Sequence, residues 1–248
     1  MSSLKLSFCG VTAALLLVGC AQEPLTRASE PSTVASSAAF APSNDPANKN
    51  WQDVVIRFKT PTKYSRAEVE GQPCVLAEAN GSWSLHVAAV PPQFAGASTL
   101  AWRWHIPALV AGADNSLPGS DDSAARLVVA FKGDRDKLDA SDRATMSLAK
   151  ALGGHVLPFA AIQYIWETKA PINTVIPNAN ISRIKKVVVR SGEKGLAQWQ
   201  SFERNVREDF RKAFPGEEPG EIESLGLMTD TDSLGGVTRA CYADLALR

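Results

Sequence analysis

The chain has 248 residues, with 26 Lys+Arg balanced by 26 Asp+Glu and 45% hydrophobic residues. A formal charge of zero argues against the basic footprint of a nucleic-acid binder, and no nucleic-acid partner is expected. The one long apolar run, residues 6–18, is too short to cross a bilayer as a finished helix, which needs about 20 residues.

That run follows Lys5 and ends at Leu17-Val18-Gly19-Cys20. A charged start, a short apolar stretch and a small residue before a cleavage point make a secretory signal. A small residue followed directly by Cys points further, to lipoprotein processing. Residues 1–19 are then a removed signal peptide, and Cys20 becomes the acylated first residue, carrying palmitate-type chains. Ordinary secretory cleavage is the alternative and leaves an unanchored periplasmic protein. Several acyl chains give stable anchoring where one binds only marginally. Ala21 and Gln22 follow the Cys, with no Asp at 21 to hold the protein at an inner membrane. The expected location is the cell envelope, lipid-anchored to the outer membrane and facing the periplasm.

Residues 21–50 are rich in Pro, Ser, Ala and Asn, without apolar periodicity. Such composition buries too little surface to offset ordering entropy. Residues 20–50 are therefore expected to be the lipidated Cys and a flexible tether, with an ordered arm packed on the domain as the alternative. Residues 51–248 make one domain's worth of chain. Of the four cysteines, Cys9 is removed with the signal and Cys20 is acylated, which leaves Cys74 and Cys241. In an oxidising compartment they form either a disulfide, worth on the order of 4 kcal/mol in the chain-entropy model, or two separate buried thiols.

Within the domain the dominant period is two. In LAWRWHI, Leu100, Trp102, Trp104 and Ile106 share one face, while Ala101, Arg103 and His105 share the other. Strands are expected at 53–58, 82–89, 100–106, 125–131, 161–167, 185–191, 224–230 and 239–247, with turn-forming clusters between them. A helix is expected over 141–152, stopped by Gly153-Gly154. A second is expected where Val206, Phe210 and Phe214 recur every four residues. No regular βαβ rhythm is present, which argues against a doubly wound sheet. The simplest architecture is mainly β: an antiparallel jelly-roll sandwich with one or two short helical inserts.

Spaced elements occur in order along residues 50–248. They are Trp102-Arg103-Trp104, Asp121-Asp122-Ser123-Ala124-Ala125-Arg126, Tyr164-Ile165-Trp166, Arg190-Ser191-Gly192 and Trp199. Then follow Arg204-Asn205-Val206, Asp209-Phe210, Phe214 and Met228-Thr229-Asp230-Thr231-Asp232. In this set the chain resembles bacterial domain-of-unknown-function family 3047. The resemblance implies a galactose-binding-like jelly roll, a group that includes carbohydrate-binding modules. Residues 133–154 depart from the family pattern as a long helical insert after Phe131.

Three functional readings follow. A non-catalytic module binding a glycan or other envelope component would use exposed aromatic rings, with Trp166, Trp199 and Tyr164 as candidates. Trp102 and Trp104 are read as core, with a stacking platform as the alternative. A polysaccharide-acting hydrolase would need a carboxylate pair across a cleft, which Asp121 or Asp122 with Asp230 or Asp232 would supply. A protein-interaction module in envelope assembly would use the insert. The same four aspartates are candidate ligands of a structural Ca²⁺. Alternatively, they cap turns and pair with Arg126, which needs a carboxylate if its strand is buried. The three histidines, His86, His105 and His155, are isolated, and no Gly-x-Ser-x-Gly elbow or Cys-x-x-Cys spacing occurs.

Overall fold

The computed structural model describes residues 39–248. The expected signal peptide, Cys20 and the first part of the expected tether lie outside these residues. Twelve strands and two α-helices follow one another in the described chain. The first six strands are β1 Trp51–Val55, β2 Lys63–Val69, β3 Gln72–Asn80, β4 Ser84–Ala89, β5 Thr99–His105 and β6 Ser123–Phe131. After α1 (Ala140–Gly153) come β7 Ala160–Glu167, β8 Val175–Pro177, β9 Ile184–Ser191 and β10 Trp199–Asn205. Helix α2 (Val206–Ala213), β11 Ile222–Asp230 and β12 Val237–Leu247 complete the chain.

A seven-stranded sheet runs β1-β4-β11-β6-β7-β9-β8 and a five-stranded sheet runs β10-β5-β12-β3-β2. From β3 to β6, and again from β9 to β12, the chain changes sheet at every step. This shuttling makes a jelly-roll sandwich, mainly β as the period-two pattern required. Pairing is antiparallel except between β7 and β9, which run parallel.

The core is built from the parity read in the sequence. Leu100, Trp102, Trp104 and Ile106 are buried between the sheets, and both tryptophans belong to core rather than platform. Trp102 stacks on Tyr164 and Phe202 at 5.1 Å each, which ties the two sheets through aromatic faces. Strands β6 and β7 are buried along their whole length. Their near-continuous apolar runs reflect cover on both faces.

The helices end as their sequences dictate. Asp139 accepts the Asp142 N–H at the start of α1, and Gly154 closes it in the left-handed region. Asn205 caps α2 through the N–H groups of Arg207 and Glu208. Phe210 then packs on Phe131 at 4.9 Å and on Phe214 at 4.8 Å.

The N-terminal arm departs from expectation, and β2, β3, β8 and β10 are not among the expected strands. Residues 40–50 lie on the domain rather than in a tether. Phe40 exchanges both backbone hydrogen bonds with Leu247, and its ring packs on Phe94. The Trp51 indole donates to the Ser43 carbonyl at 2.7 Å. An apolar ring at 40 and a free strand end at 247 supply what the polar composition conceals. The hairpin β2–β3 was not expected. It turns on Glu70 and Gly71, both at positive φ, as a two-residue type I′ turn demands.

Cys74 and Cys241 are joined by a disulfide, with Cα atoms 5.6 Å apart and a sequence separation of 167. It links β3 to β12 on the outward face of the five-stranded sheet. Replacing both by Ala is expected to cost roughly 4–5 kcal/mol in the chain-entropy model, read as a lower urea midpoint. An unchanged midpoint would mean that the bridge does not constrain the unfolded chain.

Candidate functional site

Two places on the sandwich gather polar chemistry. The first is a charge cluster on the outer side of the seven-stranded sheet, beneath the connection of residues 107–122. Arg126 sits mid-sheet on β6 and is buried. Its guanidinium donates to both Asp230 oxygens at 2.9 and 3.0 Å, to the Asp121 carboxylate at 2.9 Å and to Gln163 at 3.3 Å. It also donates to the Asp121 backbone carbonyl. Lys186, equally buried on β9, meets the other Asp121 oxygen at 2.5 Å and the Asn115 carbonyl at 2.9 Å. Glu167 accepts N–H bonds from Asn115, Lys169 and Ala170.

The electrostatics follow from burial and pairing. Burial pushes the Asp230 carboxyl up to about 6, with Arg126 pulling against it. Loss of water alone would lower the Arg126 pKa, but Asp230 and Asp121 outweigh that effect and hold it above its ordinary value. Lys186 is shifted down, first by burial and then by Arg126. Burial would raise Glu167, yet its three N–H donors and Thr168 hold it below the usual carboxylate range. At the loop's centre, Lys169 and Ser116 hold the Asp114 carboxyl at about 2.

The four aspartates expected to act together are divided by these partners. Asp122, Asp230 and Asp232 bring one oxygen each to within 4.8 Å of one another. Asp121 is spent on Arg126 and Lys186. Asp122 accepts the N–H groups of Ser233 and Leu234 at 3.0 and 2.8 Å, a turn cap, and Asp232 pairs with Lys59 at 2.6 Å. With a cation or backbone donor on every carboxylate, Ca²⁺ and EDTA are expected to leave the melting temperature unchanged. A saturable rise with Ca²⁺ would place an ion on Asp122, Asp230 and Asp232. To act as a hydrolase pair, two of these carboxylates would first have to leave the cations and backbone donors that hold them.

The second place is the outward face of the five-stranded sheet. The parity that buries Trp102 and Trp104 displays Arg103 and His105. Trp199 lies opposite His105 on β10 and joins them on this face. The Arg103 guanidinium lies over the Trp199 ring at 5.0 Å, and His105 meets the ring edge-on at 5.7 Å. The half-buried indole donates to the Val69 carbonyl at 3.1 Å, so the β2–β3 hairpin tip curls over the face and the disulfide. Arg103 also donates to Gln72 at 3.0 Å and to Asp244 at 3.3 Å. Asp244 reaches this face because β12 bulges between Ala243 and Ala246, with Asp244 itself at φ +54°. A shallow cleft of about 410 Å³ lies alongside, lined by the polar Arg103, Ser201, Glu203 and Asp244 and by Ala101, Trp102 and Phe202.

Of the three expected ring contacts, two are corrected. Tyr164 and Trp166 do share a face, but it is the inward one. Tyr164 donates its hydroxyl to Asp209 at 2.9 Å, and Trp166 donates its indole N–H to Gly192 at 2.8 Å. Only Trp199 stands at the surface. Sequence reasoning missed Arg103, Gln72 and Asp244 as its neighbours, although the Trp-Arg-Trp alternation announced an outward Arg103. Two histidines keep structural roles: His86 is stacked between Trp51 and Tyr64 beside Asp53, and His155 contacts the Val55 carbonyl.

Fold and geometry define a mainly β jelly-roll sandwich with a buried ionic cluster on one sheet and a polar–aromatic face on the other. Residues 49–246 match the family described as Protein of unknown function (DUF3047), and the chain belongs to that family. No curated protein matches it at a significant level. Among solved structures it is similar to a family 11 carbohydrate-binding module of Clostridium thermocellum, at 8% identity and TM-score 0.39 over 85% of this chain and 95% of that one. It is also similar to endoglucanase 3 of Trichoderma harzianum from family GH12, at 11% identity and TM-score 0.42 over 85% and 94%. A third is the xyloglucanase domain of NopAA from Sinorhizobium fredii, at 8% identity and TM-score 0.38 over 84% and 99%. A binding module stands beside enzymes in this group, and likeness at this level selects no function.

Arg126→Met is expected to destabilise the domain by about 3–5 kcal/mol, because it strands buried carboxylates. The same change in an Asp230→Asn background is expected to cost less, as read by urea denaturation. Equal costs in both backgrounds would mean that the pair is not coupled.

Proposed function

We propose that this chain is an envelope lipoprotein, held by acyl groups on Cys20 at the outer membrane and facing the periplasm. In this reading its sandwich binds a glycan on the outward face of the five-stranded sheet without cleaving it. One observation carries the ligand class: a half-exposed indole, Trp199, stands beside a cleft lined by Arg103, Ser201, Glu203 and Asp244. Sugar rings offer flat C–H faces to an indole and hydroxyls that both donate and accept. Ala101, Trp102 and Phe202 give the cleft an apolar lining, and hydroxyl, carboxylate and guanidinium groups stand around it, the mixture that a sugar's C–H faces and hydroxyls call for. The non-catalytic reading is supported by the two cleft carboxylates, each of which already faces a cation. Glu203 pairs with Arg248 at 2.6 Å and Asp244 with Arg103 at 3.3 Å.

The test is retention of the full chain on peptidoglycan and on a glycan array. Arg103→Ala and Trp199→Ala are each expected to weaken binding about tenfold or more, the loss of one or two good contacts. Absence of retention on every glycan, or retention indifferent to both changes, would overturn the reading. Release of soluble sugar during the incubation would favour the hydrolase instead and turn attention to Glu203 and Asp244. Metabolic palmitate labelling checks the anchor, with label expected on the wild type and absent from Cys20→Ser.

A further inference from the structure

We infer that the outward face of α1 is a membrane-contact surface, seated on the phospholipid bilayer that carries the lipid anchor. The inference rests on the anchor proposed above and adds where the domain touches the membrane.

The helix has two unlike faces. Met146 is buried, with its sulfur beside Arg135. Asp142, on the same side, bonds Ser182 of the β8–β9 connection. The opposite side carries an apolar stripe of Leu148 and Leu152, 58% and 64% exposed, and Val156, 60% exposed, follows just beyond the end of the helix. Ala144 and Ala151 widen it, and Arg143 and Lys150 are exposed on the same helix. Single exposed leucines are ordinary on a protein surface. Two large apolar side chains one turn apart, widened by alanines and followed by a third just past the helix, with basic residues on the other flank, have the form of a helix lying in a lipid interface.

The route of the chain favours a bilayer as the occupant. The insert leaves the sandwich at Phe131, which pairs with Ile222. Ile222 donates its N–H to the Ala95 carbonyl. Ala95 follows Phe94, on which the Phe40 ring packs at 6.1 Å. The root of the insert and the entry of the N-terminal arm therefore share one end of the sandwich. From Cys20 to Phe40 the chain spans at most about 70 Å however it is arranged. Anchoring thus turns a weak three-residue contact into an intramolecular one at high effective concentration.

The experiment uses full-length acylated protein with phosphatidylethanolamine–phosphatidylglycerol vesicles. An environment-sensitive dye is placed at Ala151→Cys on the stripe, with Glu193→Cys at the far end of the sandwich as control. Flotation reports the anchor, and a water-soluble quencher reports the contact. The expected result is flotation with quenching at 151 reduced about threefold on vesicles, as for a side chain at interfacial depth, and no change at 193. In Leu148→Glu/Leu152→Glu, flotation is expected to persist while the protection at 151 is lost. Both positions are exposed, so this variant keeps its fold. Flotation with full quenching at 151, or protection surviving the double change, overturns the contact and leaves the anchor standing. Failure to float overturns the anchor and the inference with it. Protection that grows with protein concentration without vesicles assigns the stripe to a second copy of the chain and overturns the bilayer.

Discussion

A buried guanidinium organises much of this domain. Arg126 lies on β6 near the centre of the seven-stranded sheet, where water cannot reach its charge. Taking such a group out of water costs several kcal/mol unless charge and hydrogen bonds replace the lost hydration. Asp230 comes from the neighbouring strand β11, but one carboxylate does not fill five N–H donors. The rest comes from Gln163 on β7 and from Asp121, which drags the end of the 107–122 connection over the sheet. Asp121 in turn answers Lys186 on β9, so four adjacent strands and one long connection meet in a single polar network. Several of the motif residues shared with the family fall in this network, which is why they read as a site and act as a brace.

The other sheet follows from a different rule. Alternation on β5 sends Trp102 and Trp104 inward, against Tyr164, Phe202 and Tyr242, and sends Arg103 and His105 outward. Core and surface are thus two sides of one parity. A side chain could not move from the tryptophan layer to the outward face without a one-residue slip that would empty the core. The bulge at Asp244 is the local exception that turns one extra side chain onto the outward face. The hairpin tip, held by Trp199 at Val69 and by Arg103 at Gln72, then covers part of that face.

In the proposed arrangement these two devices serve one geometry. The arm and the insert share one end of the sandwich, while the polar–aromatic face lies along the outside of the five-stranded sheet. A domain seated on lipid at one end keeps a sheet face free for a polymer in the periplasm.

Much of the architecture was legible because strand periodicity is local. The alternation in LAWRWHI and the apolar runs of β6, β7, β9 and β11 announce strands without reference to anything distant, whereas DVVIRF is strand only as far as Val55 and Phe58 beyond it is exposed. The capped helix ending at Gly153-Gly154 is equally local. Strand β3 was missed because its inward residues, Ala77 and Ala79, are small helix formers. Strand β10 was missed because an edge strand, polar on both faces, has no period to show. The sequence by itself determined that Tyr164 and Trp166 share a face, that Arg126 needs a carboxylate and that acidic residues cluster before and after the central strands. Only the tertiary structure decided that the shared face is inward, that Asp121 and Asp230 answer Arg126, and that of the three candidate rings Trp199 alone reaches the surface. Periodicity is written between neighbours in the chain, whereas inside and outside are settled when one sheet closes on another and withdraws water from only one of its faces.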